Sequence, residues 1–467
     1  MRDTPRQFGH VALMTLRLIH FLFCSLCIAT SMLSAAPGKH PRSRIAAYRE
    51  VRILAELGRA LFFDPTLSAS GRLSCASCHD PAHAYGPPDG RSVRSGGKAM
   101  DQAGLRAVPS LRYLQATPQF TEHYFDSDEE ADASIDNGPT GGLTWDGRVD
   151  RGRDQARLPL LSPNEMANDS SGAVVAAVRK SANARLLRQA FGAEVFADID
   201  KAFDGILQAF EAYQQTYTEF FPYSSKYDAY LAGEAKLTEQ QARGLALFND
   251  PAKGNCAHCH ISARGPDGTP PQFTDYGLAA LGVPRNPEIA ANVDPAFYDL
   301  GLCGPLRTDL TNRAQYCGMF KSPSLRNVAT RSAFFHNGKF HNLKDVLHFY
   351  VERDTKPEKW YLRKSDGTVD KFDDLPLEYR PNINVEPPFD RHPGDAPALT
   401  EQEIVDVLAF LETLNDGYRV DKEDQVLSRC KTAAVTKAPL GVCPNRVSST
   451  GPCPAGSAPG SGTEGCS

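Results

Sequence analysis

The sequence predicts a mainly α-helical protein in which one architecture is used twice. Three observations carry this expectation. No long run alternates apolar and polar residues as an antiparallel sheet would require. Two segments, "LTEQQARGLALF" and "LTEQEIVDVLAFLETL", each open with a threonine followed three residues later by Gln241 or Glu403, the spacing of a helix capping box. The pattern Cys-x-x-Cys-His occurs twice, at Cys75–His79 and Cys256–His260, each behind a helical segment.

In chain order, the N-terminus reads as an export signal. Arg2, Arg6 and Arg17 accompany an apolar run from Leu18 to Leu33 and the small residues of "SAAPG", with cleavage expected after Ala36. The run is short and interrupted for a membrane span, so no stable span is expected. The whole chain carries −5; its first 36 residues contribute +2, leaving −7 for the exported part. That mild acidity argues against a nucleic-acid partner. "ELGRALFFDPTLS" is a helix leading into the first cluster, and "LTEQQARGLALF" is its counterpart before the second. The expected division is therefore a signal over 1–36, an N-terminal unit over 37–235, a C-terminal unit over 236–425 and a Cys/Gly/Ser/Pro-rich tail over 426–467. Long Gly, Pro and Asp-rich connections such as Phe125 to Gly142 and Lys364 to Ala398 read as loops. The acidic stretch "DSDEEADASID" reads as a solvated loop.

Twelve cysteines sharpen the picture. Two leave with the signal and four sit in the clusters, and in an exported chain the remaining six favour disulfides. Cys303 and Cys317 are expected to close a local loop, while Cys430, Cys443, Cys453 and Cys466 staple the tail in a pairing left open.

Cys-x-x-Cys-His is the attachment pattern of c-type haem: two thiols reach the vinyl groups of one porphyrin edge, and the histidine binds iron. By composition alone a chain with this many Cys and His holds about 0.008 copies of it, so two copies are not accidental. Zinc would need a second ligand pair near each cluster, and none is present. The sequence therefore predicts two covalent haems on Cys75, Cys78, Cys256 and Cys259, with His79 and His260 as iron ligands.

From about Ala55 to Tyr418 the chain resembles the bacterial di-haem cytochrome c peroxidase family, including its MauG branch. The likeness rests on "LGRALFFDPTLS", "TWDGRVDRGRDQARLPLLSPNEMAN", "FKSPSLRNVATRSAFFHNG" and "LTEQEIVDVLAFLETLNDGY", in that order. It implies two cytochrome c-like haem domains facing each other across an interface, the N-terminal haem binding peroxide and the C-terminal haem handling electrons. It places Trp145 between the haems and Gln155, Pro159 and Glu165 around the peroxide pocket, where a proton-moving group is needed to cleave the O–O bond. Each residue also has an ordinary reading. Trp145 suits a core position beside the Asp146-Gly147 turn, and Ser162, Pro163 and Glu165 have the spacing of a helix cap. The loop over 90–110 lacks the histidine with which some members block the peroxide haem, which implies an iron open without reductive activation.

On the second iron, the register that is methionine in many members falls on Tyr350, as in MauG. Leu343, Val346, Leu347 and Tyr350 also form a packing stripe, and His348, His341 and Met319 are alternative ligands. A phenolate favours oxidised iron. For the family's interdomain calcium, the asparagine position falls on Ala107, leaving the carbonyls of Arg331 and Ala333 and one missing side-chain ligand. The resemblance implies a periplasmic peroxidase that takes electrons from a small donor protein, a c-type cytochrome or cupredoxin. Its rivals are a MauG-like oxidant of a protein substrate and a di-haem electron carrier.

Overall fold

The structure, a computed structural model, describes residues 44–124 and 137–420. The export segment, the acidic stretch and the tail cysteines lie outside the described residues. The chain divides into two compact units, Met1–Val51 and Arg52–Ser467, and both clusters belong to the second.

The described chain is mostly helix and loop, as its patterning predicts. Its longer helices are α1 (Arg44–Phe62), α2 (Gly152–Leu161), α3 (Ser171–Lys180), α4 (Ala184–Phe191), α5 (Ile199–Gln214), α6 (Glu239–Asn249), α7 (Leu343–Glu352) and α8 (Glu401–Glu412). The only named strands among the described residues are two-residue pairs, Ser95–Gly96 with Gln102–Ala103 and Leu278–Ala279 with Phe320–Lys321. Both expected capping boxes form: Thr238 and Gln241 close the start of α6, and Thr400 and Glu403 that of α8. Cys303 and Cys317 are disulfide-bonded. No helix among the described residues is long and apolar enough to cross a membrane.

Two large buried clusters form the core. One draws on residues from Leu57 to Phe220 and packs α1, α2, α3 and α5, while the other draws on residues from Tyr227 to Leu414 and packs α6, α7 and α8. Each rests on one close helix crossing made possible by a glycine. A Cβ on Gly58 of α1 would stand 1.9 Å from the Ala209 carbonyl oxygen of α5, and one on Gly244 of α6 would stand 2.0 Å from that of Asp406 in α8. The two glycines occupy matching positions, "LGRALF" and "RGLALF", ahead of the two clusters.

The cap reading of Glu165 is corrected. Ser162 ends α2 instead of starting a helix, its N–H returning to the Leu158 carbonyl, and residues 163–166 form a turn. Pro159 lies inside α2, where its missing N–H leaves the Gln155 carbonyl without an intrahelical partner.

Candidate active site

The two Cys-x-x-Cys-His motifs fold alike. In each, the histidine N–H donates to the carbonyl of the first cysteine, His79 to Cys75 at 2.8 Å and His260 to Cys256 at 2.9 Å. Each imidazole then uses Nδ1 on a backbone carbonyl, His79 on Tyr85 at 3.1 Å and His260 on Phe273 at 2.9 Å. A carbonyl can only accept, so Nδ1 carries the proton and Nε2 keeps its lone pair. Burial lowers both basicities, His79 to about 4, which holds the neutral, metal-binding form. The four thiols are free of disulfides, and burial pushes Cys75, Cys256 and Cys259 up to about 12.

Around the first cluster the acid is Glu165. Its charge acts on both Cys75 and Cys78. It is exposed by surface area yet has protein packed closely around it. That crowding raises its carboxyl above the ordinary range despite a hydrogen bond with Ser162 and the charge of Arg148. Its backbone is clamped: Gly97 N–H donates to the Glu165 carbonyl at 2.8 Å, and a Cβ on Gly96 would come within 2.5 Å of that same oxygen. Only glycine lets the strand lie this close.

A cavity of about 290 Å³ lies against the second cluster. Cys256, Cys259 and His260 line it together with Tyr350, Trp145 and Gln155; Cys75, Cys78, His79, Pro159 and Glu165 do not. Tyr350 lies on α7 among the rings of Phe335, Phe349 and Phe389. Its hydroxyl has no hydrogen-bond partner among the described residues, and burial, with the nearby thiols, pushes its pKa up. The alternatives point elsewhere. His348 faces Glu352 and Glu401 at 3.5 and 3.2 Å, His341 faces Ser332 and Glu288, and Met319 packs in the small clusters around Leu300.

Trp145 is buried, and its Nε1 donates to the Ala107 carbonyl at 2.8 Å. Beneath it lies an ion network that sequence reasoning missed. Asp146, fully buried, accepts from Thr144, Arg106 and Arg148, and Arg106 also holds Asp299. Burial would raise the Asp146 carboxyl, but Arg106 and Arg148 hold it below the usual range. Only the adjacency of Trp145, Asp146, Gly147 and Arg148 hinted at this network; Arg106 and Asp299 are too distant in sequence to pair by inspection. His336 was also missed. It stacks on Phe320 at 3.5 Å, and its carbonyl accepts the Ala107 N–H at 2.7 Å.

A family profile described as di-haem cytochrome c peroxidase matches residues 53–236. Methylamine utilization protein MauG of Paracoccus denitrificans is 34% identical over 373 residues, covering 78% of this chain and 88% of that protein. The chain belongs to the di-haem cytochrome c peroxidase and MauG family. The diheme peroxidase BthA of Burkholderia thailandensis is 39% identical, with 78% of this chain and 86% of that one covered at a TM-score of 0.68. A MauG-like protein associated with microbial copper homeostasis is 26% identical, with 80% and 92% covered at a TM-score of 0.55.

Membership implies two c-type haems, and the residues present fit them. Each motif offers two thiols outside any disulfide and one neutral imidazole oriented through Nδ1 by a backbone carbonyl. The cavity beside the second motif also carries Lys321, a cation weakened by burial to about 8, which suits a carboxylate of a porphyrin.

Proposed function

We propose that the protein reduces hydrogen peroxide to water with electrons from a small redox protein, a c-type cytochrome or cupredoxin. It would do so after export to the periplasm, with one covalent haem in each of two cytochrome c-like domains that meet near Ala235. The reading is carried by the asymmetry between the clusters: a carboxylic acid with raised pKa beside Cys75 and Cys78, and a phenol without a hydrogen bond among the described residues beside Cys256 and Cys259.

When bound, haem supplies the iron at which peroxide is cleaved and in which single electrons are held. Peroxide, two electrons and two protons give two waters. Glu165, neutral over more of the pH range than an ordinary carboxyl, holds the proton that one oxygen takes from the other. Gln155 orients peroxide or water, and Pro159, by freeing the Gln155 carbonyl, shapes the same end of α2. Trp145, fixed by Ala107, relays electrons between the halves. Tyr350, lining the cavity with Cys256, Cys259 and His260, would hold the second iron through its phenol oxygen. The test is peroxide-dependent oxidation of a reduced c-type cytochrome by the purified di-haem protein. Failure to turn over with any small donor would remove the reading.

A second reading, a MauG-like oxidant of another protein, draws on Tyr350 and on the ring series Tyr350, Phe349 and Trp360, with centroids 6.4 and 5.7 Å apart. It predicts peroxide-dependent modification of a protein substrate instead of cytochrome oxidation.

A further inference from the structure

The segment that the family's pattern offers to calcium is already bound by a cation of the chain itself. Arg331 follows the turn Val328–Thr330, and its guanidinium folds back so that Nη2 donates to the Val108 carbonyl at 2.9 Å and to the Ala333 carbonyl at 3.1 Å. The Ala333 carbonyl is one of the two that the pattern assigns to calcium, and Val108 adjoins Ala107, which stands where the pattern has asparagine. Calcium takes six to eight oxygens and commonly several carboxylates. Among the described residues no carboxylate pairs with Arg331, and no group of three or more His, Cys, Asp or Glu could hold a metal. With Ala107 at the asparagine position and the Ala333 carbonyl already taken by the guanidinium, a dication here would lack a side-chain ligand and stand beside a like charge. These residues do not fit calcium.

We propose that Arg331 does the structural work of the family's calcium, tying residues 107–108 to residues 331–336 without a metal. The tie bears on Trp145, because Ala107 receives the indole N–H while donating its own N–H to His336. Arg331 is thus a positioning residue for Trp145. One guanidinium nitrogen donating to two carbonyls supplies direction as well as charge. The inference rests on the family reading, since the register at Ala107, Arg331 and Ala333 comes from it.

The test uses the di-haem protein, with the haem-to-protein ratio measured first; a protein without two haems sinks the family reading, whatever its metal content. In protein with both haems, elemental analysis should find far less than one calcium per chain, and Tm should not move with excess EGTA or excess calcium. One calcium per chain, or a Tm that falls on chelation, would overturn the inference and leave the peroxidase reading intact. Arg331→Met should lower Tm by several degrees and slow electron exchange between the haems, with Arg331→Lys recovering part of both. An Arg331→Met protein with unchanged Tm and unchanged inter-haem exchange would also overturn it. Should Arg331→Met not fold, the calcium and chelation measurements on the unaltered protein still decide.

Discussion

His79 and His260 each donate Nδ1–H to a backbone carbonyl, and Gly58 and Gly244 each let a helix cross its partner at backbone contact. Up to this point the two halves repeat one design. They part on what approaches each cluster. The first has Glu165, an acid whose pKa the surrounding protein raises, on a backbone clamped by Gly96 and Gly97. The second has Tyr350, a phenol set among phenylalanines. The lesson is that the repeated part builds a haem holder, while the differing part assigns its task. On the proposed function, one half would move a proton and the other would fill a coordination position.

The largest expected effect breaks the first half alone. Glu165→Gln should slow peroxide cleavage by ~10²-fold or more, as loss of a positioned proton carrier does, while both haems stay attached. Stopped-flow mixing with peroxide reads this directly. Unchanged kinetics would leave Glu165 without a catalytic role.

Next come the two crossings, which test whether the halves are equivalent. Gly58→Ala and Gly244→Ala each force a methyl against a carbonyl oxygen and should each cost ~1–3 kcal/mol, seen as a lower denaturation midpoint. A large loss at one site and none at the other would show that only one half depends on its close crossing. Trp145→Phe should slow electron exchange between the halves by about tenfold, equivalent to ~1.4 kcal/mol on the barrier. It removes the indole N–H that Ala107 accepts while leaving most of the ring, and flash or stopped-flow reduction of one haem would follow the exchange.

Much of this was legible in the sequence. The capping boxes at Thr238 and Thr400, the helix carrying Leu343 to Tyr350 and the Cys303–Cys317 bond follow from local spacing, and local spacing survives folding. The Ser162-Pro163-Glu165 pattern misled because the cap rule needs a helix to follow, and here the chain turns instead. Arg106 with Asp299, and Arg331 with Val108, could not be read, since each joins residues about two hundred positions apart and no periodicity encodes such a pairing.

The smallest effect is a pH dependence. Because the folded protein raises the Glu165 pKa, this residue's contribution to stability is complete below the ordinary carboxyl range and is lost as pH rises through the folded value. Glu165→Gln should therefore match the parent protein in acid and gain slightly on it toward neutral pH. A helix cap would show the reverse, with the variant less stable at neutral pH.

The division of tasks between the halves is tested most directly by electron paramagnetic resonance of the fully oxidised protein beside Tyr350→Phe. The parent protein should show one high-spin iron and one low-spin iron, and Tyr350→Phe a change confined to the low-spin signal, which becomes high-spin or takes a new ligand signature. Two low-spin irons in the parent protein would contradict that division, because no iron would be open to peroxide, and so would a low-spin signal that Tyr350→Phe leaves unaltered.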